Sequence, residues 1–98
     1  MLAKVLIKRR FKKGKAKEVL ALLNEFRAGA MNRKGYVSGH TLVGADDPQT
    51  LLVISTWQSS DDWKKWLQSE ERNKVQSKID ALLGGETKYD IFHYGFSE

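Results

Sequence analysis

Apolar residues stand at consecutive positions in Leu51-Leu52-Val53-Ile54. A strand with one wet face would alternate apolar and polar residues, so both faces of this segment are expected to be covered. The chain then turns into a helix. Ser59 followed three positions later by Asp62 is an N-cap pattern, and the acidic pair Asp61-Asp62 suits the positive end of a helix dipole. Trp63, Trp66 and Leu67 follow at the i, i+3, i+4 spacing of one helical stripe, which is expected to press on the strand just left. Upstream, Lys4 to Phe11 alternates, with Val5, Ile7, Arg9 and Phe11 on one side and Lys4, Leu6, Lys8 and Arg10 on the other. From Lys15 the positions Val19, Leu22, Leu23, Phe26 and Ala30 keep the helical period, and Gly29 marks the expected end of that helix.

Tyr36 to Gly44 reads as a further strand, with Tyr36, Ser38, His40 and Leu42 facing one way and Val37, Thr41 and Val43 the other. Gly39 inside it suggests a bulge or the close approach of another group. Asp46-Asp47-Pro48-Gln49 is turn chemistry and joins this strand to the next as a hairpin. Ser69 before Glu70 and Glu71 looks like another N-cap, so the tryptophan helix is expected to break or bend there. Val75, Ile79, Leu82 and Leu83 form the next stripe up to Gly84-Gly85. Tyr89, Ile91 and His93 alternate against Asp90, Phe92 and Tyr94 as the last strand.

The order βαββαβ is that of a ferredoxin-like α+β domain, a four-stranded antiparallel sheet with the helices on one face. The other sheet face carries too many apolar side chains to stay wet. A second copy of the chain is the expected cover, as a symmetric homodimer.

At 98 residues the chain is read as one domain spanning 1–98. The hydrophobic share of 41% and charged share of 30% are ordinary for a globular protein, and the apolar runs are far too short to cross a bilayer. The start, Met1-Leu2-Ala3-Lys4, lacks the apolar core of a signal peptide, and there is no cysteine, so cytoplasm is the expected compartment. The formal charge of +5 permits contact with polyanions, and seven of the ten residues from Lys8 to Lys17 are basic. That cluster lies across a loop without interleaved aromatics except Phe11, so it is read as a solvated turn; no specific nucleic-acid partner is expected. The aromatic strand motif that serves RNA binding on such sheets is missing. Asp46 and Asp47 lack companion oxygen ligands and are read as turn residues, not as a metal site.

Several of these segments together resemble one known family. Gly35-Tyr36-Val37-Ser38-Gly39, Thr41-Leu42-Val43, the run LLVISTW, the stretch from Asp61 to Arg72 and the closing Tyr89-Asp90-Ile91 are similar to the antibiotic biosynthesis monooxygenase domain family. The resemblance runs over nearly the whole chain and implies a dimeric α+β barrel. It implies less about chemistry, because the family includes cofactor-free quinone-forming oxygenases, haem-degrading enzymes and members without an assigned activity. Haem-degrading members pair a helix tryptophan with a histidine ten residues on and a first-strand asparagine. Trp66 matches the tryptophan, but Gln76 and Ile7 stand in the other two places. A glutamine amide is a poor iron ligand beside imidazole, so efficient haem degradation is not expected.

A cofactor-free oxygenase needs a dry pocket, a base and groups that hold an anion; it needs no metal or flavin. For that role the chain offers Trp63 and Trp66 as aromatic walls, Arg72 as an anion partner, Tyr36 as a polar tip and Gln76 at the place set by the resemblance. His40 and His93 are the candidate bases near neutral pH. Trp66 is expected in the pocket with its ring partly accessible, and Trp63 in the core. The small aromatic ligand of an oxygenase is one reading; a dimeric ligand-binding or stress-associated module without turnover is the other.

Overall fold

The computed structural model describes residues 1–95 of the chain. Its elements are β1 (Ala3–Arg10), α1 (Ala16–Met31), β2 (Tyr36–Val43), β3 (Thr50–Trp57), α2 (Ser60–Leu67), α3 (Glu70–Asp80) and β4 (Lys88–His93). The strands form one antiparallel sheet in the order β2-β3-β1-β4. The double apolar run of β3 follows from this order, since β3 is an interior strand. Leu51 is buried against the helices, whereas Leu52 and Ile54, on the opposite face, are half-buried.

Three helices cover the Leu51 face, because the second helical region breaks at Ser69 as expected. Ser59 and Ser69 each accept a hydrogen bond from the backbone N–H three residues on, at 3.1 and 3.2 Å, so α2 and α3 are separately capped. Ser69 Oγ also donates to the Trp66 carbonyl at 2.8 Å, tying the end of α2 to the start of α3. The second stripe ends sooner than its pattern suggests. α3 stops at Asp80, and Leu83 instead pairs with Phe11 in an isolated bridge ahead of Gly84.

Gly29 has a different role from the one expected of it. α1 continues through it to Met31, and a Cβ at Gly29 would stand 2.7 Å from Trp66 Cη2. The glycine lets the indole lie against the helix backbone. Gly39, too, marks a close approach, because its Cβ would meet the Tyr36 hydroxyl at 2.6 Å. The bulge lies elsewhere, between Tyr36 and Ser38.

That bulge corrects the parity of β2. Tyr36 pairs with Trp57, Gly39 with Ser55 and Thr41 with Val53, all facing the helices, whereas Ser38, His40 and Leu42 pair with Thr56, Ile54 and Leu52 on the open face. Tyr36 and His40 therefore point to opposite sides. The hairpin between β2 and β3 is fastened by Asp47, whose carboxylate accepts from Gln49 N at 3.1 Å, Thr50 Oγ1 at 3.1 Å and Arg10 Nε at 3.0 Å. Among the described residues, no helix is long and apolar enough to cross a membrane.

Candidate functional site

The core between helices and sheet is not solid. A cavity of about 90 Å³, or about 630 Å³ with its open mouth included, lies under α1 and the tryptophan helix and over β1, β3 and β2. The smaller figure is the space that the centres of water-sized molecules can occupy; the larger one counts all empty space, including some shared with solvent. Strand period places Ile7 and Arg9 of β1, Val53, Ser55 and Trp57 of β3, and Tyr36 and Thr41 of β2 on its floor. α1 supplies Leu23, Asn24, Phe26, Arg27 and Ala30 to its roof, and Trp63, Trp66 and Arg72 close it from α2 and α3.

The walls are mainly aromatic. Trp57 meets Tyr36 edge-on with centroids 5.4 Å apart, and Trp57 and Trp63 meet at 6.0 Å. Trp57 is buried, its indole N–H donating to Ser55 Oγ at 3.2 Å. Trp66 also lines the cavity but is only 3% exposed, and Trp63, 1% exposed, lines it too. Burial thus does not separate a pocket tryptophan from a core tryptophan, and the partial accessibility expected of Trp66 is not seen. Gly29 draws the Trp66 ring under α1, and Arg33 lies over it from outside, 5.2 Å from the ring centroid.

Two buried arginines form the polar end. Arg72 and Arg9 are each 2% exposed, and both donate through Nη2 to Gln76 Oε1, at 3.5 and 3.1 Å. Arg72 also donates to the Tyr89 hydroxyl at 2.8 Å. Aromatic faces take up part of the charge. Arg9 sits 4.9 Å from the centroid of Phe26, and Arg72 lies 5.2, 5.5 and 5.4 Å from those of Phe26, Trp63 and Tyr89. Burial pulls the Arg9 pKa down to about 10; Tyr89 counters this, and the neighbouring Arg72 charge adds to it. The guanidinium stays protonated at neutral pH.

Gln76 does not line the cavity. It stands behind the arginines, with Nε2 donating to Asp80 Oδ1 at 2.7 Å and to Thr87 Oγ1 at 3.3 Å. The amide oxygen where the haem-degrading members place a histidine is therefore already engaged by two guanidinium groups. The histidines are not brought together. His40 borders the cavity from β2, but its register sends the side chain to the open face, and His93 lies on β4 at the other sheet edge, opposite Ala3 on the helix-covered face. Among the described residues, no group of three or more His, Cys, Asp or Glu side chains is placed to hold a metal ion.

Arg9 and Trp57 are the site residues that the sequence reading passed over. Arg9 left a signal, since it is the one charged residue on the apolar side of the β1 alternation, between Ile7 and Phe11. Trp57 closes an apolar strand and looks like core until the cavity beside it is seen.

Comparison with known proteins matches this picture. The family model for antibiotic biosynthesis monooxygenase matches residues 3–78. No curated protein matches the chain in sequence. Among solved structures, a conserved protein from Methanosarcina mazei superimposes with a TM-score of 0.89 at 16% identity, covering 97% of this chain and 94% of its own. Rv0793 from Mycobacterium tuberculosis gives 0.86 at 13% identity, over 99% and 98%. SnoaB from Streptomyces nogalater, a cofactor-independent oxygenase, gives 0.83 at 15% identity, over 99% and 97%. At such identities these likenesses speak for the fold alone. With the family model covering β1, β2, β3, α1, α2 and most of α3, the chain belongs to the antibiotic biosynthesis monooxygenase family.

Proposed function

We propose that this protein is a cofactor-independent monooxygenase acting on a small aromatic phenol, hydroquinone or related polyketide-like ring, and that it works as a homodimer. The observation that carries the reading is the cavity itself, an aromatic-walled chamber inside an antibiotic biosynthesis monooxygenase domain with two guanidinium groups at one end. Trp57, Trp63, Trp66 and Tyr36 offer flat contacts to a ring. At about 90 Å³ the cavity is smaller than a dry cavity of roughly 150 Å³ that holds benzene, and it is open on one side. The reacting edge of the ring therefore sits inside, and the rest of the molecule occupies the mouth.

The reaction that fits such a site uses the substrate as its own reductant. An ionised phenol or enol is electron-rich enough to pass an electron to oxygen; the radical pair joins at the activated carbon, and the peroxide loses water. The balance is one CH₂ group and one O₂ giving one carbonyl and one water. The protein holds the anion, keeps bulk water out and aligns the ring. The fold's likeness to SnoaB, described as a cofactor-independent oxygenase, is consistent with this chemistry.

The dimer rests on the open sheet face. Leu42 and Phe92 are 49% and 57% exposed there, on the same face as half-buried Leu6, Leu52 and Ile54, an apolar set interspersed with Lys4, Lys8 and Asp90 that one chain leaves uncovered. Oxygen uptake by metal-stripped protein, screened against hydroquinones and anthrone-like phenols, tests the activity. Stoichiometric O₂ consumption with quinone formation is expected for at least one of these substrates. Binding of such compounds without any uptake would support instead the reading of a ligand-binding module without turnover.

A further inference from the structure

The basic stretch from Lys8 to Lys17, read from the sequence as a solvated turn, is divided by the fold. Lys8 and Arg10 lie in β1 and face away from the helices, and the strand pairing sets Lys88 of β4 directly opposite Lys8. Like charges facing each other across neighbouring strands are destabilising. Neither lysine forms an ion pair among the described residues. Together with Arg10, Thr50 and the loop Gly84-Gly85-Glu86 they border a second hollow, of about 310 Å³, at the end of the open sheet face. Arg9 borders it too, but its guanidinium is turned to the helices and bonded to Gln76. Arg10 spends Nε on Asp47 at 3.0 Å, whereas its Nη1 reaches towards Gly84, 3.7 Å from where a Cβ would stand, and the side chain absent there leaves that edge of the guanidinium uncovered. Neither Gly84 nor Gly85 has the left-handed backbone that would by itself call for glycine. The pair keeps the rim of the hollow low, and the Gly85 N–H has no acceptor among the described residues.

We propose that this hollow binds a phosphate group, free or carried as a monoester by a small molecule. Lys8, Arg10 and Lys88 border it against one carboxylate, that of Glu86, and a phosphate dianion answers the repulsion between the two lysines as no uncharged ligand can. The ammonium groups donate from neighbouring strands, the uncovered guanidinium edge of Arg10 supplies a third charged donor, and the Gly85 N–H adds a backbone donor at the rim. None of these donors lines the aromatic chamber, and the sheet lies between the two, so the site stands whatever the chamber binds.

The test is calorimetric titration with inorganic phosphate and with glycerol 3-phosphate at about pH 7.5, where phosphate is largely a dianion, with ionic strength held constant by sodium chloride. Inorganic phosphate is expected to bind with a Kd of about 1 mM or tighter. Equal or tighter binding of the ester assigns the site to phosphorylated small molecules; weaker binding of the ester assigns it to the free ion. Lys8→Gln and Lys88→Gln are each expected to weaken phosphate binding about tenfold, and Glu86→Gln to tighten it about twofold. The lysine variants carry a second signature in thermal melts. Without phosphate they should melt above wild type, because a cross-strand repulsion is gone, and with phosphate in large excess they should melt below it. Stabilisation that sodium chloride reproduces at equal ionic strength, or phosphate binding unchanged in both lysine variants, overturns the proposal. So does a lower melting temperature of Glu86→Gln in phosphate-free buffer, since it would show that this carboxylate already neutralises the lysines.

Discussion

Replacing Gly29 with alanine sets two effects of known sign against each other. In an exposed helix interior, alanine in place of glycine stabilises by about 1 kcal/mol through backbone entropy. Here the added methyl would stand 2.7 Å from Trp66 Cη2 and 2.9 Å from Glu71 Oε1. Glu71 is exposed and can swing aside. Trp66, 3% exposed and wedged between α1 and the cavity, cannot move without displacing other buried groups. Overpacking of this kind costs about 1–3 kcal/mol, so the net expectation for Gly29→Ala is a loss of about 1 kcal/mol, a fall in Tm of about 4–8 °C for a domain of this size. In a Trp66→Phe background the obstructing atom is gone, and the same change is expected to stabilise by about 0.5–1 kcal/mol. Thermal and urea melts of the four proteins give the coupling directly, expected near 1.5–2 kcal/mol. An equal gain in both backgrounds would refute the reasoning, showing that Trp66 is not held against the helix backbone.

Trp63→Phe and Trp66→Phe are each expected to cost about 1–3 kcal/mol, and both should weaken any aromatic ligand, since both rings are buried and both line the cavity. A ligand response confined to one of them, read in melts with and without ligand, would divide their roles. Ser69→Ala removes a cap and a bond to the Trp66 carbonyl, so denaturant melts are expected to show a loss of about 1–2 kcal/mol. Asp47 has its pKa lowered by the hydrogen bond from Arg10 and then by that from the Gln49 amide. A depressed carboxylate contributes stability above its unfolded pKa and loses it as pH falls through the folded value, so Asp47→Asn should fall short of wild type at pH 7 and converge with it below about pH 4. Sedimentation is expected to give twice the 11.2 kDa chain mass, and Leu52→Asp on the open face should halve it.

Local chemistry carried much of the fold into plain view. Ser59 and Ser69 cap their helices because a hydroxyl three residues ahead of a free backbone N–H is a short-range fact, and Asp47 closes its turn for the same reason. The unbroken apolar run from Leu51 to Ile54 reported an interior strand with equal economy. The site was harder to see because its geometry is set over long range. Nothing within a few residues of Tyr36 reveals that the following residue is a bulge, yet that bulge decides which sheet face Tyr36 and His40 each occupy. Gly29 looked like a helix terminator because its real partner, Trp66, is distant in sequence and meets it only after α1 packs beside the second helical region. Gln76 was placed at the site by resemblance, but its contacts with Arg9, on the first strand, could be known only once the strand and α3 were packed together.

The bulge at Val37 has a consequence for how this strand can change over generations. A strand without such a dislocation commits all its residues to a single phase, so inserting or deleting one residue exchanges its two faces from end to end. Here the phase already slips once, upstream of Gly39, and the slip divides β2 into two stretches. Tyr36, ahead of it, answers to the Trp57 ring and the chamber. Ser38, His40 and Leu42, behind it, answer to whatever meets the bare side of the sheet. A length change confined to the slip would therefore reorient the pocket's tyrosine while keeping Gly39 and Thr41 on the chamber side and Ser38, His40 and Leu42 on the bare side in register.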